Sequence, residues 1–214
     1  MKSDFYQEFN HDGVAEKYDE DVKDESNPVR EGYKDLILWV NKNCSDSENV
    51  VDLGSGTGNT VVSLLSNVDS IVCVDFSEKM LEIAKEKLKG KKNISFVRSD
   101  LLSFFDKEEK LEVDTVVSTY AIHHLTQKEK HLLFEKIYNI LPEGGKIVLG
   151  DLMFENKESE QKMKLKYPDL VEDFDDEFYW YLDKETKKLK DLGFSLNICR
   201  FSDLSWGICG IKKG

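Results

Sequence analysis

From Val50 onward the chain alternates short apolar runs with stretches of helical periodicity, the pattern of βαβ units built around a parallel sheet. Five runs read as strands: Val50 to Leu53, Ile71 to Asp75, Ile94 to Arg98, Val113 to Ser118 and Lys146 to Asp151. Between them, Ser77 to Lys89 and Gln127 to Leu141 carry the clearest helical spacing, the first with Ser77 as its N-cap. Pro142-Glu143-Gly144-Gly145 stops the second and feeds the next strand.

Beyond Asp151 the pattern weakens through a charged, aromatic-containing segment, Glu155 to Tyr181, before a helix around Lys184 to Leu192. Ser195 to Phe201 and Trp206 to Lys212 are close enough in sequence to pair as an antiparallel hairpin. Ahead of the alternation, Tyr6, Phe9, Val14 and Tyr18 are spaced like one helix face, and Tyr33, Ile37 and Val40 suggest a second helix. These first residues are expected to cap the sheet.

One junction departs from simple alternation. The apolar run at Val50 breaks into Gly54-Ser55-Gly56-Thr57-Gly58, three glycines at alternate positions. Glycine is needed where backbone takes positive φ or comes within contact of a ligand. The following Thr60 to Leu65 can open a helix whose first amides face that ligand. The turn therefore reads as a nucleotide-holding element.

Composition narrows what the turn could serve. At 214 residues and 40% hydrophobic content, one domain with a sizeable core is expected. The net charge of −12 argues against nucleic acid, which requires a basic surface. The basic run Lys85 to Lys92 is spaced as a solvated helix face. No apolar stretch is long enough for a membrane span and no secretory pattern opens the chain, so a cytoplasmic location and no membrane partner are expected. Cys44, Cys73, Cys199 and Cys209 are widely spaced with no metal-ligand pattern, so they read as structural thiols and no metal site is expected.

A dinucleotide fingerprint, GxGxxG, would require glycine at position 59, where the chain has Asn59. Asp52, two residues before the first glycine, would repel a pyrophosphate and attract an ammonium group. Both features disfavour an NAD-dependent oxidoreductase. Residues 50 to 58 instead resemble motif I of the class I S-adenosylmethionine-dependent methyltransferases.

The resemblance continues through the core. Asp75 matches the acidic residue that, in the family, accepts hydrogen bonds from both ribose hydroxyls. Asp75-Phe76-Ser77-Glu78-Lys79-Met80 resembles the family's DxSxxM pattern, which implies Phe76 or Met80 as the apolar wall against adenine. Ser99-Asp100-Leu101 resembles the adenine-recognition element, Asp100 accepting from the exocyclic amine and the backbone near Leu101 assisting. Ser118 to Leu125 resembles the AxHHL element; the residues there, Thr119 included, would border the methyl donor, and either His123 or His124 could act as general base. Ala15 to Asp19 resembles an AxxYD element whose tyrosine, here Tyr18, closes over the cofactor.

The resemblance implies an α/β fold: a Rossmann-like, doubly wound, seven-stranded, mainly parallel sheet with an antiparallel C-terminal hairpin and an N-terminal helical cap. The whole chain would form one methyltransferase domain, with residues 1–45 as cap, 46–151 as cofactor-binding core and 152–214 as acceptor-side segment and hairpin. The implied cofactor is S-adenosylmethionine, held by Tyr18, Asp52, Gly54, Ser55, Gly56, Asp75, Phe76, Met80, Asp100, Leu101 and Thr119. The implied reaction is in-line methyl transfer to a small-molecule acceptor, where positioning can supply roughly 7 to 11 kcal/mol of the barrier. The alternative is a non-catalytic S-adenosylmethionine-binding or partner-binding module on the same fold. Neither the acceptor nor the oligomeric state can be read from the sequence.

Overall fold

Alternate residues of a strand face opposite sides of its sheet, and this sequence supplies apolar side chains to both. Val50, Val117 and Val148 enter one buried cluster, while their neighbours Val51, Val116 and Ile147 enter the other. A sheet buried on both faces must be covered by helices on both, which is the condition for a parallel, doubly wound core. The computed structural model, which describes residues 11–66, 68–107 and 111–214, has this arrangement.

The strands are β1 (Asn49–Leu53), β2 (Ser70–Asp75), β3 (Ile94–Arg98), β4 (Thr115–Thr119), β5 (Lys146–Phe154), β6 (Trp180–Tyr181), β7 (Phe194–Arg200) and β8 (Ser205–Lys212). They run in the order β3-β2-β1-β4-β5-β8-β7, with β6 pairing β5 off this path. The first five are parallel, and β8 is antiparallel to both β5 and β7. The seven-stranded path and its C-terminal hairpin thus agree with the sequence pattern. The short β6 does not appear in that pattern, because two residues carry no periodicity.

Helices α1 (Tyr18–Asp21), α2 (Tyr33–Asn43), α3 (Asn59–Leu64), α4 (Glu78–Lys87), α5 (Leu101–Lys107), α6 (Gln127–Ile140), α7 (Lys157–Lys166), α8 (Val171–Asp176) and α9 (Leu182–Leu192) lie between and around the strands. Leu36 and Val40 of α2, with Val61 and Leu64 of α3, cover one face. Leu102 of α5, Phe134 and Ile137 of α6 and Leu189 of α9 cover the other. Thr126 and Glu129 form a reciprocal capping box that fixes where α6 begins.

Two sequence expectations change. Residues 155–181, in which the sequence shows no regular element, hold α7, the 3-10 turn Pro168–Leu170, α8 and β6. In the N-terminal segment, Tyr6 and Phe9 lie outside the described residues. Val14 is 48% exposed between the 3-10 turn His11–Gly13 and α1, so residues 11–21 are not one continuous amphipathic helix. No helix among the described residues is long and apolar enough to cross a membrane.

The order of strands reverses direction at β1, whose neighbours are β2 and β4. In open α/β sheets the crevice outside the carboxyl ends of the strands at this switch point is where ligands bind. The glycine turn, Asp75, Asp100 and Tyr120 all lie at the carboxyl ends of β1 to β4.

Candidate functional site

A cavity of about 280 Å3 opens at this switch point. Tyr18, Gly54, Gly56, Asp75, Phe76, Met80, Asp100, Leu101, His123 and His124 all border it. Residues spread from 18 to 124 thus converge on one space. Asp52, Ser55 and Thr119 do not reach its wall. Thr119 instead shares a 2.6 Å hydrogen bond with Thr60 and ties the end of β4 to α3. Asp52 and Ser55 are buried behind the turn.

The turn is shaped by backbone. Gly54 and Gly56 take φ of 71° and 51°, the left-handed region that side chains disfavour. A Cβ on Gly54 would stand 2.2 Å from that of Ala121, so this glycine lets the turn pack against the loop after β4. A Cβ on Gly56 would meet only Tyr18, at 4.0 Å, and would project where the cavity opens.

Asp75 closes the turn from β2. One carboxylate oxygen accepts the Gly56 N–H and the other accepts the Ser77 N–H, each at 2.8 Å. Burial pushes its carboxyl up, and these backbone donors oppose the shift. A carboxylate has about four lone-pair sites, so capacity remains for hydroxyl donors in the cavity. Asp100 is an N-cap as well as a lining residue: one oxygen accepts from the amides of Leu102 and Ser103 and starts α5.

Behind the turn, Asp52 is fully buried, and neither of its carboxylate oxygens has a hydrogen-bond partner among the described residues. Burial, aided by the negative charge of Asp75, pushes its pKa up to about 7. A buried carboxylate without a partner is costly, and a cation in the adjoining cavity would relieve that cost.

Sequence reasoning missed several wall residues. Arg30 lies 5.6 Å from the Tyr18 ring centroid and 5.3 Å from that of Tyr120, bringing a guanidinium to the cavity between two aromatic faces. Tyr120 has φ 50°, the one positive φ outside glycine among the described residues, and its hydroxyl lies 3.0 Å from that of Ser205. Such strain concentrates at functional sites. Positive φ at a tyrosine leaves no sequence signal. Arg30 sits in a stretch without periodicity.

The far wall is built around His123. Asp151, at the point of β5 where the predicted strand ended, accepts from its Nδ1 and, at 3.0 Å, from its backbone N–H. Trp180 Nε1 donates to the same carboxylate at 3.1 Å. Burial would lower the His123 pKa, but Asp151 and Glu177 prevail and raise it. At His124, by contrast, burial drives the pKa well below the usual range. Glu177 Oε2 stands 3.5 Å from His123 Nε2, and Tyr179 borders the cavity beside them. Buried Lys130 fixes this region by donating to the carbonyls of Leu125 and Phe178, while the Phe178 N–H bonds the His123 carbonyl at 3.0 Å.

The glycine spacing and the carboxylates suit a donor with an ammonium group, a ribose and an adenine. The unpartnered Asp52, the open space above Gly56, the spare acceptor capacity of Asp75 and the apolar Phe76, Met80 and Leu101 fit S-adenosylmethionine.

Comparison with known proteins agrees. Residues 50–145 match a family model described as a methyltransferase domain. An uncharacterized methyltransferase of Oceanobacillus iheyensis is 32% identical over 190 residues, covering 86% of this chain and 85% of that one. One from Geobacillus sp. is 32% identical over 207 residues, covering 93% and 94%. Among solved structures, a DhpI-SAM-HEP complex superposes with a TM-score of 0.70 at 19% identity, covering 93% of each chain. Magnesium protoporphyrin IX methyltransferase from Synechocystis PCC 6803 with bound SAH gives 0.68 at 18%, covering 87% and 86%. At such identities the structures show the fold alone.

Proposed function

The chain belongs to the class I S-adenosylmethionine-dependent methyltransferases, and from that premise we propose that it methylates a small-molecule acceptor in the cavity at the β1/β4 switch point. One observation carries the reading: the donor-side residues and the wall of His123, His124 and Glu177 border the same cavity, with Asp151 bonded to His123 behind that wall. The bound cofactor supplies an activated methyl group for in-line displacement.

Each residue has a role in this reading. Asp52 offers negative charge to the donor's ammonium through the turn, and Arg30 offers positive charge to its carboxylate. Asp75 holds the ribose. Phe76, Met80 and Leu101 sandwich the adenine, with Asp100 at its edge. Tyr18 and Tyr120 close the donor side against water. His123 and His124, with Glu177, form the wall where the acceptor loses its proton, and Tyr179 and Leu152 add apolar surface for its body.

We read the chain as a single domain in which residues 152–214 shape the acceptor side. In support, Glu177 and Tyr179 reach the cavity from that segment. The surplus of acidic side chains supports a small molecule over nucleic acid.

The test is calorimetry with S-adenosylhomocysteine, then a screen of thiol, amine and hydroxyl acceptors for its release from S-adenosylmethionine. Saturable binding and turnover with one acceptor class are expected. Binding without turnover on any acceptor would favour the non-catalytic module, and no binding at millimolar ligand would defeat the donor assignment.

A further inference from the structure

The acceptor wall brings together more ligating chemistry than proton removal requires. One ligand atom from each of His123, His124 and Glu177 lies within 4.8 Å of the others. All three residues border the cavity on the side away from Asp75 and Phe76. Glu177 joins the two histidines only through folding, which is why the sequence carries no metal signal.

The spacing is informative. His123 Nε2 and Glu177 Oε2 are 3.5 Å apart, long for a direct hydrogen bond, whose heavy atoms sit roughly 2.7 to 3.2 Å apart. Two ligands at about 2.1 Å from a tetrahedral zinc are separated by roughly 3.4 Å. The observed pair therefore already has the separation it would have across a metal ion.

The surroundings of His123 point the same way. A metal-bound histidine almost always gives its other ring N–H to a carboxylate or carbonyl, which fixes ring and tautomer. Asp151 meets that need at Nδ1, leaving Nε2 directed toward Glu177. Asp151 is itself held by Trp180 and by the His123 backbone N–H. A dication would also balance two carboxylates, Asp151 and Glu177, that flank one imidazole in a largely buried site.

We propose that His123, His124 and Glu177 bind a divalent transition-metal cation at the acceptor wall. Two imidazoles and one carboxylate suit zinc, manganese or iron(II) better than calcium or magnesium, which prefer all-oxygen shells. Three protein ligands leave a position open to the cavity, as in catalytic rather than structural sites. That position takes water or an acceptor's hydroxyl or thiol, so the site selects acceptors bearing oxygen or sulfur. The inference rests on the acceptor side assigned above.

Chelator-treated, tag-free full-length protein would be titrated with Zn2+ and Mn2+ by calorimetry, and in parallel with S-adenosylhomocysteine. One equivalent of metal should bind. Glu177→Gln and His124→Gln should each weaken it at least tenfold, and Asp151→Asn about 10- to 100-fold, because Asp151 orients the His123 ring through Nδ1. Co2+ in the wild type should show d–d absorption that Glu177→Gln loses. Absence of saturable metal binding by protein that still binds S-adenosylhomocysteine would overturn the metal site and spare the donor site. Wild-type metal affinity in both Glu177→Gln and His124→Gln would overturn it too, by placing the ion elsewhere.

Discussion

Asn59, the residue that breaks the dinucleotide glycine spacing, donates its side-chain amide to Asp19 across 3.0 Å. Thr57 donates to the same oxygen at 2.5 Å, and Lys87 reaches the other at 2.6 Å. The glycine turn is thereby clasped to α1, next to Tyr18. Asp19→Ala should free this segment and weaken S-adenosylhomocysteine binding about tenfold, the scale of one hydrogen bond to a charged group. Burial would raise the Asp19 carboxyl, but the bonds from Lys87 and Thr57 hold it below its ordinary value. The clasp is thus intact at neutral pH and is lost as pH falls through the lowered folded pKa. Faster amide exchange over residues 15–22 in Asp19→Ala would confirm the clasp; unchanged exchange and affinity would refute it.

Asp52 links donor binding to pH. Its folded, ligand-free pKa is raised by burial and by Asp75 to about 7, so the charge of a cavity residue is felt at Asp52. A cation in that cavity should act with opposite sign and pull the value down. Donor affinity should therefore fall as pH drops below about 7, by up to tenfold per unit, with protons released on binding. In the ligand-free protein this group adds stability below about pH 4 that is lost as pH rises through 7. Calorimetry in buffers of different ionisation enthalpy measures the released proton. Asp52→Asn should flatten the profile, and a wild-type profile already flat from pH 5 to 8 would rule the linkage out.

Gly54 and Gly56 should fail differently when replaced by alanine. Each substitution places a side chain at positive φ, at a cost of about 1 to 2 kcal/mol. At Gly54 the new methyl also collides with Ala121, so thermal stability should drop further. At Gly56 the methyl enters open cavity, so donor binding should be lost while the melting temperature changes less. Equal melting temperatures for the two variants would contradict this division.

The parallel strands are legible because two-sided burial writes apolar runs into β1, β2, β4 and β5, and the C-terminal hairpin because its two runs are adjacent in sequence; the order of the strands is not written in those runs. Motif residues were legible where a turn demands glycine or where an acid ends a strand, as at Gly54 and Asp75. Thr119, expected beside the methyl donor, bonds Thr60, because a hydroxyl at a strand end serves equally to tie elements together. Arg30 and Glu177 reach the cavity, and Asp151 reaches His123, through tertiary packing. Local spacing carries no trace of that convergence.

Lys130 tests whether the acceptor wall is held independently of the donor side. It is 1% exposed, burial brings its pKa down to about 8, and its ammonium bridges the carbonyls of Leu125 and Phe178. These carbonyls flank His123 on one strand of chain and Glu177 on the other, so one cation sets their separation. Lys130→Met fills similar volume and leaves both carbonyls unanswered, at about 1 to 3 kcal/mol each, partly offset because no ammonium need be buried. The urea midpoint should fall moderately. S-adenosylhomocysteine affinity should stay within about twofold, since the hydrogen bonds of Lys130 go to Leu125 and Phe178 beside the acceptor wall and separated sites act additively. Methyl transfer should drop far more than affinity. If affinity and turnover fell together, Lys130 would be supporting the fold as a whole and not the geometry between His123 and Glu177.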